Sequence, residues 1–141
     1  MKSDFERGTL IGYESKFYAV RDYGFKSSNT PYTCSEIVAS LDMSKMGYSN
    51  TITKFIDLFD TEAPFVIYIG DCDEEGNEVM MDVHEDRYGK PLSYMSDIKK
   101  GITLVKKMMK EDDYWRFKLL LNFLKMFEEC PENIYIVHYG Y

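Results

Sequence analysis

Apolar and β-branched residues bunch near the start of the chain into two short runs, 9–13 and 17–21, joined by the polar Glu14-Ser15-Lys16. Runs of this length, bounded by turn-forming residues, predict a first β-hairpin. From Tyr23-Gly24 to Pro31 the chain is rich in Ser, Asn and Gly, which predicts a loop. Thr33-x-x-Glu36 then has the spacing of a capping box, in which hydroxyl and carboxylate satisfy reciprocal backbone donors. It predicts a short helix with Ile37, Val38 and Leu41 on one side, ended by Gly47. Ser49 or Asn50 can cap a second helix, where Ile52, Phe55, Ile56 and Phe59 recur at helical spacing.

The pattern changes after Pro64. Residues 65–69 form a continuous apolar run, which predicts a strand buried on both faces near the centre of a sheet. Residues 79–83 return as its partner across Gly76-Asn77, Gly89-Lys90-Pro91 is a break, and 92–94 reads as a short edge strand. Ser96 or Asp97 starts a third helix with Ile98, Ile102, Val105 and Met109 on one face and lysines on the other. Asp112-Asp113 suits the positive end of a last helix, whose apolar side is Trp115, Leu119, Phe123, Leu124 and Phe127, and Pro131 stops it. Residues 134–139 form a closing strand. The order ββααββ(β)ααβ predicts one α+β domain over residues 1–141, a largely antiparallel sheet of about five strands with four helices on one face.

Size and composition agree with that architecture. A chain of 141 residues is the length of one domain and can bury roughly two thirds of its unfolded surface. Twelve Tyr, nine Phe and one Trp are far more aromatic residues than a disordered chain carries. The net charge of −7 opposes sequence-independent binding to nucleic acid, which relies on neutralising phosphates. Lys99, Lys100, Lys106, Lys107 and Lys110 run against that balance and read as one solvated helix face. Cys34, Cys72 and Cys130 are odd in number and widely spaced, which predicts free thiols in a reducing compartment. The start of the chain has no signal-like apolar stretch, and no apolar run is long enough to span a bilayer. The expectation is a soluble, cytoplasmic protein.

Charge changes the picture most at one place. Asp71, Asp73, Glu74, Glu75, Glu78, Asp82, Glu85 and Asp86 all fall between positions 71 and 86, a stretch without Lys or Arg. With Gly76-Asn77 as a two-residue turn, Glu75 would face Glu78 and Asp71 would face Asp82; a wider turn would pair Asp73 with Glu78. Opposed like charges destabilise a sheet by a few tenths of a kcal/mol or more, so a cation or a basic partner would relieve them. Carboxylates so placed steer a basic partner and set specificity more than affinity. On the closing strand Tyr135, Tyr139 and Tyr141 share one side by period two, with His138 on the other, and Tyr offers large contact area with a polar tip. These acids and tyrosines are the candidate partner-binding residues.

Two other chemistries are open to the same residues. Asp71-x-Asp73-x-Glu75-Gly76, with Asp82 in the twelfth position, partly follows a calcium loop. It departs from that loop at Glu75, at Glu78 where an apolar anchor is usual, and in being flanked by strands. A calcium-binding hairpin is therefore an alternative, and no metal or other cofactor is assigned. His84 and His138, the two histidines, could build a His/carboxylate pocket of a small enzyme or ligand-binding protein if their strands were neighbours. Cys72 lies between two aspartates that disfavour its thiolate, and no G-x-S-x-G, H-E-x-x-H or phosphate-binding loop occurs, so no catalytic residue is assigned.

In general character, small, acidic and rich in tyrosine, the chain is similar to bacterial immunity proteins that neutralise toxins. It is also similar to phage-encoded inhibitors of host defence nucleases, anti-CRISPR proteins among them. No motif carries this likeness. It implies a non-enzymatic inhibitor whose carboxylates fill a basic groove of a nucleic-acid-handling enzyme in place of phosphates, without itself binding nucleic acid. Such a complex weakens as salt rises, and reversing Asp73, Glu74 and Glu75 to Lys would slow its formation most.

Overall fold

Strands that carry apolar side chains on both faces need a covering layer on each side. The two central strands of this protein do so. Phe17 and Ala19 point to one face and Tyr18 and Val20 to the other, as do Ile134 and Ile136 against Val137 and Tyr139. The computed structural model describes residues 15–26, 31–44, 54–60, 62–85, 89–111, 115–130 and 133–140. In chain order these form β1 (Ser15–Lys26), β2 (Thr33–Asp42), a helical segment α1 (54–56), β3 (Ile67–Cys72) and β4 (Glu78–Val83). β5 (Ser93–Met95), α2 (Ile98–Glu111), α3 (Phe117–Lys125) and β6 (Ile134–Gly140) follow. The fold is α+β. Four strands make an antiparallel sheet in the order β2-β1-β6-β5, and β3 and β4 form a separate antiparallel pair.

The helices cover one face of the main sheet. Phe17, Ala19, Ile134 and Ile136 pack there with Phe55, Phe59, Ile102, Val105, Phe117, Leu120 and Leu124. α2 turns Ile98, Gly101, Ile102, Val105 and Met108 inward, and its first turn is capped by Asp97, whose Oδ1 accepts from the Lys100 N–H at 3.0 Å. The hairpin layer covers the other face, where Tyr18, Val20, Val137 and Tyr139 meet Ala63, Phe65, Ile67, Ile69 and Leu92. The chain changes sides at the free edge of β5. Asp60 exchanges two 2.8 Å backbone hydrogen bonds with Tyr94, and Ala63 N–H donates to the Leu92 carbonyl. Beyond that point Val66 N–H donates to the Thr33 carbonyl and Thr33 N–H to the Pro64 carbonyl, a parallel bridge that ties the hairpin layer to the start of β2.

Several expectations are corrected. Residues 33–42 are strand β2 and not a helix. The two groups of the supposed capping box have other partners: Thr33 N–H and Oγ1 both bond the Pro64 carbonyl, and the Glu36 carboxylate accepts from Tyr23 Oη. Ile37, Ala39 and Leu41 alternate with exposed Glu36, Val38, Ser40 and Asp42, a period of two that a full-length ladder with β1 rewards. A β-bulge at Val38 shifts the register between Ala19↔Ala39 and Val20↔Ile37, and bulges of this kind blunt an edge strand such as β2. β1 also runs on through Lys26, into the stretch read as a loop, and its partners are β2 and β6. The expected strand at 9–13, the cap at Ser49 or Asn50 and the Asp112-Asp113 signal lie outside the described residues. The apolar run 65–69 is buried as expected, apart from half-exposed Tyr68, but it belongs to the hairpin layer; the sheet centre is β1 and β6. On α3 the buried face is Phe117, Leu120, Phe123 and Leu124, whereas Trp115 and Leu119 are exposed.

Candidate functional site

The β3–β4 hairpin is anchored at its base and free at its tip. Ile67 and Ile69 are buried against the main sheet, while every described side chain from Cys72 to Glu78 is exposed. The register is Tyr68↔Asp82, Gly70↔Met80, Asp71↔Val79 and Cys72↔Glu78. Neither expected turn occurs. Residues 73–77 form the loop, no carboxylate stands opposite another carboxylate in the ladder, and the like-charge cost of direct pairing is avoided.

The loop is organised by Asp73. Its Oδ1 accepts from the backbone N–H groups of Glu75 (2.9 Å) and Asn77 (2.8 Å), and its Oδ2 from Asn77 Nδ2 (3.3 Å). The Asp73 N–H donates to the Asn77 carbonyl and the Gly76 N–H to the Asp73 carbonyl, with Gly76 at φ 83°, a conformation that L-residues rarely adopt. The Asn77 backbone N–H, foremost among these donors, holds the Asp73 carboxyl below the ordinary carboxylate range. A depressed carboxyl stabilises the fold above its unfolded value, about pH 4, and loses that contribution as pH falls through its lower folded value. Protection of the Glu75 and Asn77 amides, measured against the intrinsic exchange rate at each pH, is therefore expected to persist through about pH 4 and to be lost only as pH falls through the lower folded value. In Asp73→Ala both amides should lack that protection at every pH, as NMR would read directly.

Alternation decides what the tip presents. Tyr68, Gly70 and Cys72 of β3 and Glu78, Met80 and Asp82 of β4 share the outward face. Tyr68 is 51 % and Met80 58 % exposed. A Cβ placed at Gly70 would lie 3.7 Å from Met80 Sδ, an ordinary van der Waals contact with its cross-strand neighbour. Glu74, Glu75, Glu78 and Asp82 are exposed, and no ion pair to them occurs among the described residues. Beside them a crevice of about 280 Å³ is lined by Cys34, Ser35, Val66, Tyr68 and Asp82. The outward face thus joins an aromatic ring and a thioether to uncompensated carboxylates. Tyr68 and Met80 were not singled out from sequence, although the period-two set Glu78, Met80, Asp82 was there to be read.

The other candidate residues are dispersed. Glu85 is exposed beyond β4 and bridges to Pro91. Asp71 belongs to β3 by its backbone pairing with Val79, and Asp86 and Tyr141 lie outside the described residues. Tyr139 is buried beneath the hairpin layer, and half-buried Tyr135 packs its ring 5.4 Å from Phe65 and 5.9 Å from Tyr94. Both tyrosines hold the hairpin to the sheet.

The two histidines are on opposite sides. His84 stacks on Tyr32 at 4.5 Å in the hairpin layer, and His138 lies on the helix side, 5.2 Å from the Phe17 ring. His138 Nε2 shares a 2.9 Å hydrogen bond with Ser15 Oγ, a nucleophile–base geometry that sequence spacing of 123 residues conceals. Ser15 is fully buried, so the bond satisfies a hydroxyl and is not open to a substrate. Ser15→Ala should cost about 1–2 kcal/mol in urea denaturation, the usual loss when a buried polar pair is broken. A cleft of about 470 Å³ at the start of α2, between Asp97, Lys99, Glu128 and Asn133, has Asp97 occupied as a helix cap.

Among the described residues, no group of three or more His, Cys, Asp or Glu side chains is gathered to hold a metal ion, no disulfide joins Cys34, Cys72 and Cys130, and no helix is long and apolar enough to cross a membrane. Comparison with protein-family models, curated proteins and solved structures finds no match.

Proposed function

We propose that this chain is a non-enzymatic protein-binding module whose β3–β4 hairpin docks on a basic surface of another protein, such as the nucleic-acid groove of a nuclease. The observation that carries this reading is the shared outward face: exposed Tyr68 and Met80 flanked by Glu78 and Asp82, next to the acidic loop 73–77. Buried aromatic and flexible apolar anchors supply most of the affinity of a protein interface, and surrounding charge supplies steering and register. The crevice beside Tyr68 suits the long side chain of an Arg or Lys from the partner. Val66 and Tyr68 would pack along its stem, and Asp82 would meet its charged head. In this reading the molecule inhibits by occupancy, its carboxylates standing where phosphates would otherwise bind. Half-buried Tyr135 and buried Tyr139 support the hairpin and do not touch the partner.

Differential capture tests this. Immobilised wild-type chain and a Tyr68→Ala, Met80→Ala variant are exposed to the same native extract in about 0.05 M and about 0.5 M salt. The expected result is a protein retained by the wild type at low salt, released at high salt and lost by the variant. A partner retained equally by both chains would overturn the assignment of this face. Purified partner and both chains then give the affinities by calorimetry, with a loss of at least about tenfold expected for the variant.

A further inference from the structure

The lysines of α2 form a surface that neither the core nor the hairpin uses. At 100° per residue, Lys99, Lys100, Lys106, Lys107 and Lys110 fall within one third of the helix circumference, opposite the buried Ile98, Gly101, Ile102, Val105 and Met108. All five are exposed, Thr103 is exposed among them, and no acidic residue interrupts the stripe before Glu111. Among the described residues no carboxylate is ion-paired to any of them. The protein therefore carries an uncompensated basic strip on its helix layer and an uncompensated acidic strip on its hairpin layer, with the main sheet between.

We propose that the α2 lysine face binds the β3–β4 hairpin of a second copy of this chain. The inference rests on the hairpin being a docking surface and names one basic surface that it fits. The charges match in number, with the five lysines facing Asp73, Glu74, Glu75, Glu78 and Asp82. The lengths match as well. From Lys99 to Lys110 the helix rises about 16 Å, and from Tyr68 to Cys72 the strand runs about 13 Å before the loop extends it. Opposed potentials of this kind draw two molecules together even when each is net negative, because exposed charges are screened beyond about 8–10 Å and the local strips dominate at contact. The two strips face away from each other across the sheet, so one copy cannot satisfy its own. The contact is head-to-tail, which builds rings or open chains and not a closed two-fold dimer. Self-association through the hairpin also excludes an outside partner from the same face, so a basic partner must compete with the chain's own copies.

Sedimentation velocity with charge-swapped chains tests this. The wild type is expected to form concentration-dependent dimers and longer species in about 0.05 M salt and to dissociate at least tenfold more readily in about 0.5 M salt. A hairpin variant (Glu74→Lys, Glu75→Lys, Glu78→Lys) and a helix variant (Lys106→Glu, Lys107→Glu, Lys110→Glu) should each be monomeric alone. Mixed, they should associate again, since each now offers the sign the other lacks. Circular dichroism checks that both fold, and Lys106→Gln, Lys107→Gln, Lys110→Gln, which removes charge without reversing it, should weaken association to a lesser degree. A wild type that stays monomeric at low salt, or a mixture that fails to associate, overturns the proposal. Binding of a lysine decapeptide separates the two readings. Wild-type chain that binds the peptide but does not self-associate loses the α2 site and keeps the docking hairpin, whereas a chain that does neither loses both.

Discussion

Replacing Phe17 by alanine is expected to remove about 3–5 kcal/mol of stability, the largest loss of any single substitution considered. The residue is fully buried at the junction of three elements. Its ring lies 5.8 Å from that of Phe55, 6.2 Å from that of Phe59 and 5.2 Å from the His138 ring. Those neighbours come from the α1 region and from β6, so shrinking Phe17 opens a cavity that no single side chain can fill by changing rotamer. Small domains are stable by only about 5–15 kcal/mol, so a large share of the total is at stake. Urea denaturation should show the midpoint falling with the slope unchanged. Phe25→Ala is the control: Phe25 is 60 % exposed and stacks on Tyr23, and its loss should change stability by no more than about 0.5 kcal/mol. Equal midpoints for the two variants would contradict the core described above.

Reversing Glu74, Glu75 and Glu78 to Lys is the second large effect, and it falls on association instead of folding. Asp73 is left in place because its carboxylate holds the loop through Glu75 and Asn77, so its reversal would confound charge with shape. Each replacement changes the charge by +2 on a face where these glutamates form no ion pair among the described residues. The rate of encounter with a basic partner should fall by about 10- to 1000-fold at low ionic strength, the range over which steering acts, and the gap between variant and wild type should close as salt rises. Tyr68→Ala should behave differently, leaving the encounter rate nearly intact and speeding dissociation, because it removes a contact and not a field. Surface plasmon resonance against the purified partner separates the two. A reversed hairpin that associates at the wild-type rate in low salt would remove the electrostatic basis of the proposed function.

Local signals were legible wherever one element could be read without its neighbours. Asp97 caps α2 as its position promised, Ile98, Ile102 and Val105 form its buried face, and residues 78–83 return against 67–72 as a hairpin. The edge position of β5 followed from its shortness and the break at Gly89-Lys90-Pro91. At 33–42 two patterns competed. Thr33-x-x-Glu36 is a strong local helix signal, but Ile37, Ala39 and Leu41 gain more from a ladder along β1 than from an isolated helix turn. On α3 the apolar residues surround too much of the helix for sequence to choose a face, and the sheet chose Phe117 and Leu120 over Trp115 and Leu119.

By itself the chain determined its class, its helix α2, its acidic hairpin and the charge on each, because these depend on spacing and composition within a few residues. What the tertiary structure alone decided is which surfaces look outward. The register Tyr68↔Asp82 and Gly70↔Met80 set an aromatic ring and a thioether among the acids, and the burial of Tyr139 withdrew one tyrosine from the surface. The two histidines were parted by the sheet, and Ser15 met His138 from the far end of the chain. Such outcomes depend on contacts between residues distant in sequence, and a one-residue slip of any ladder would turn every side chain on that strand to the other face.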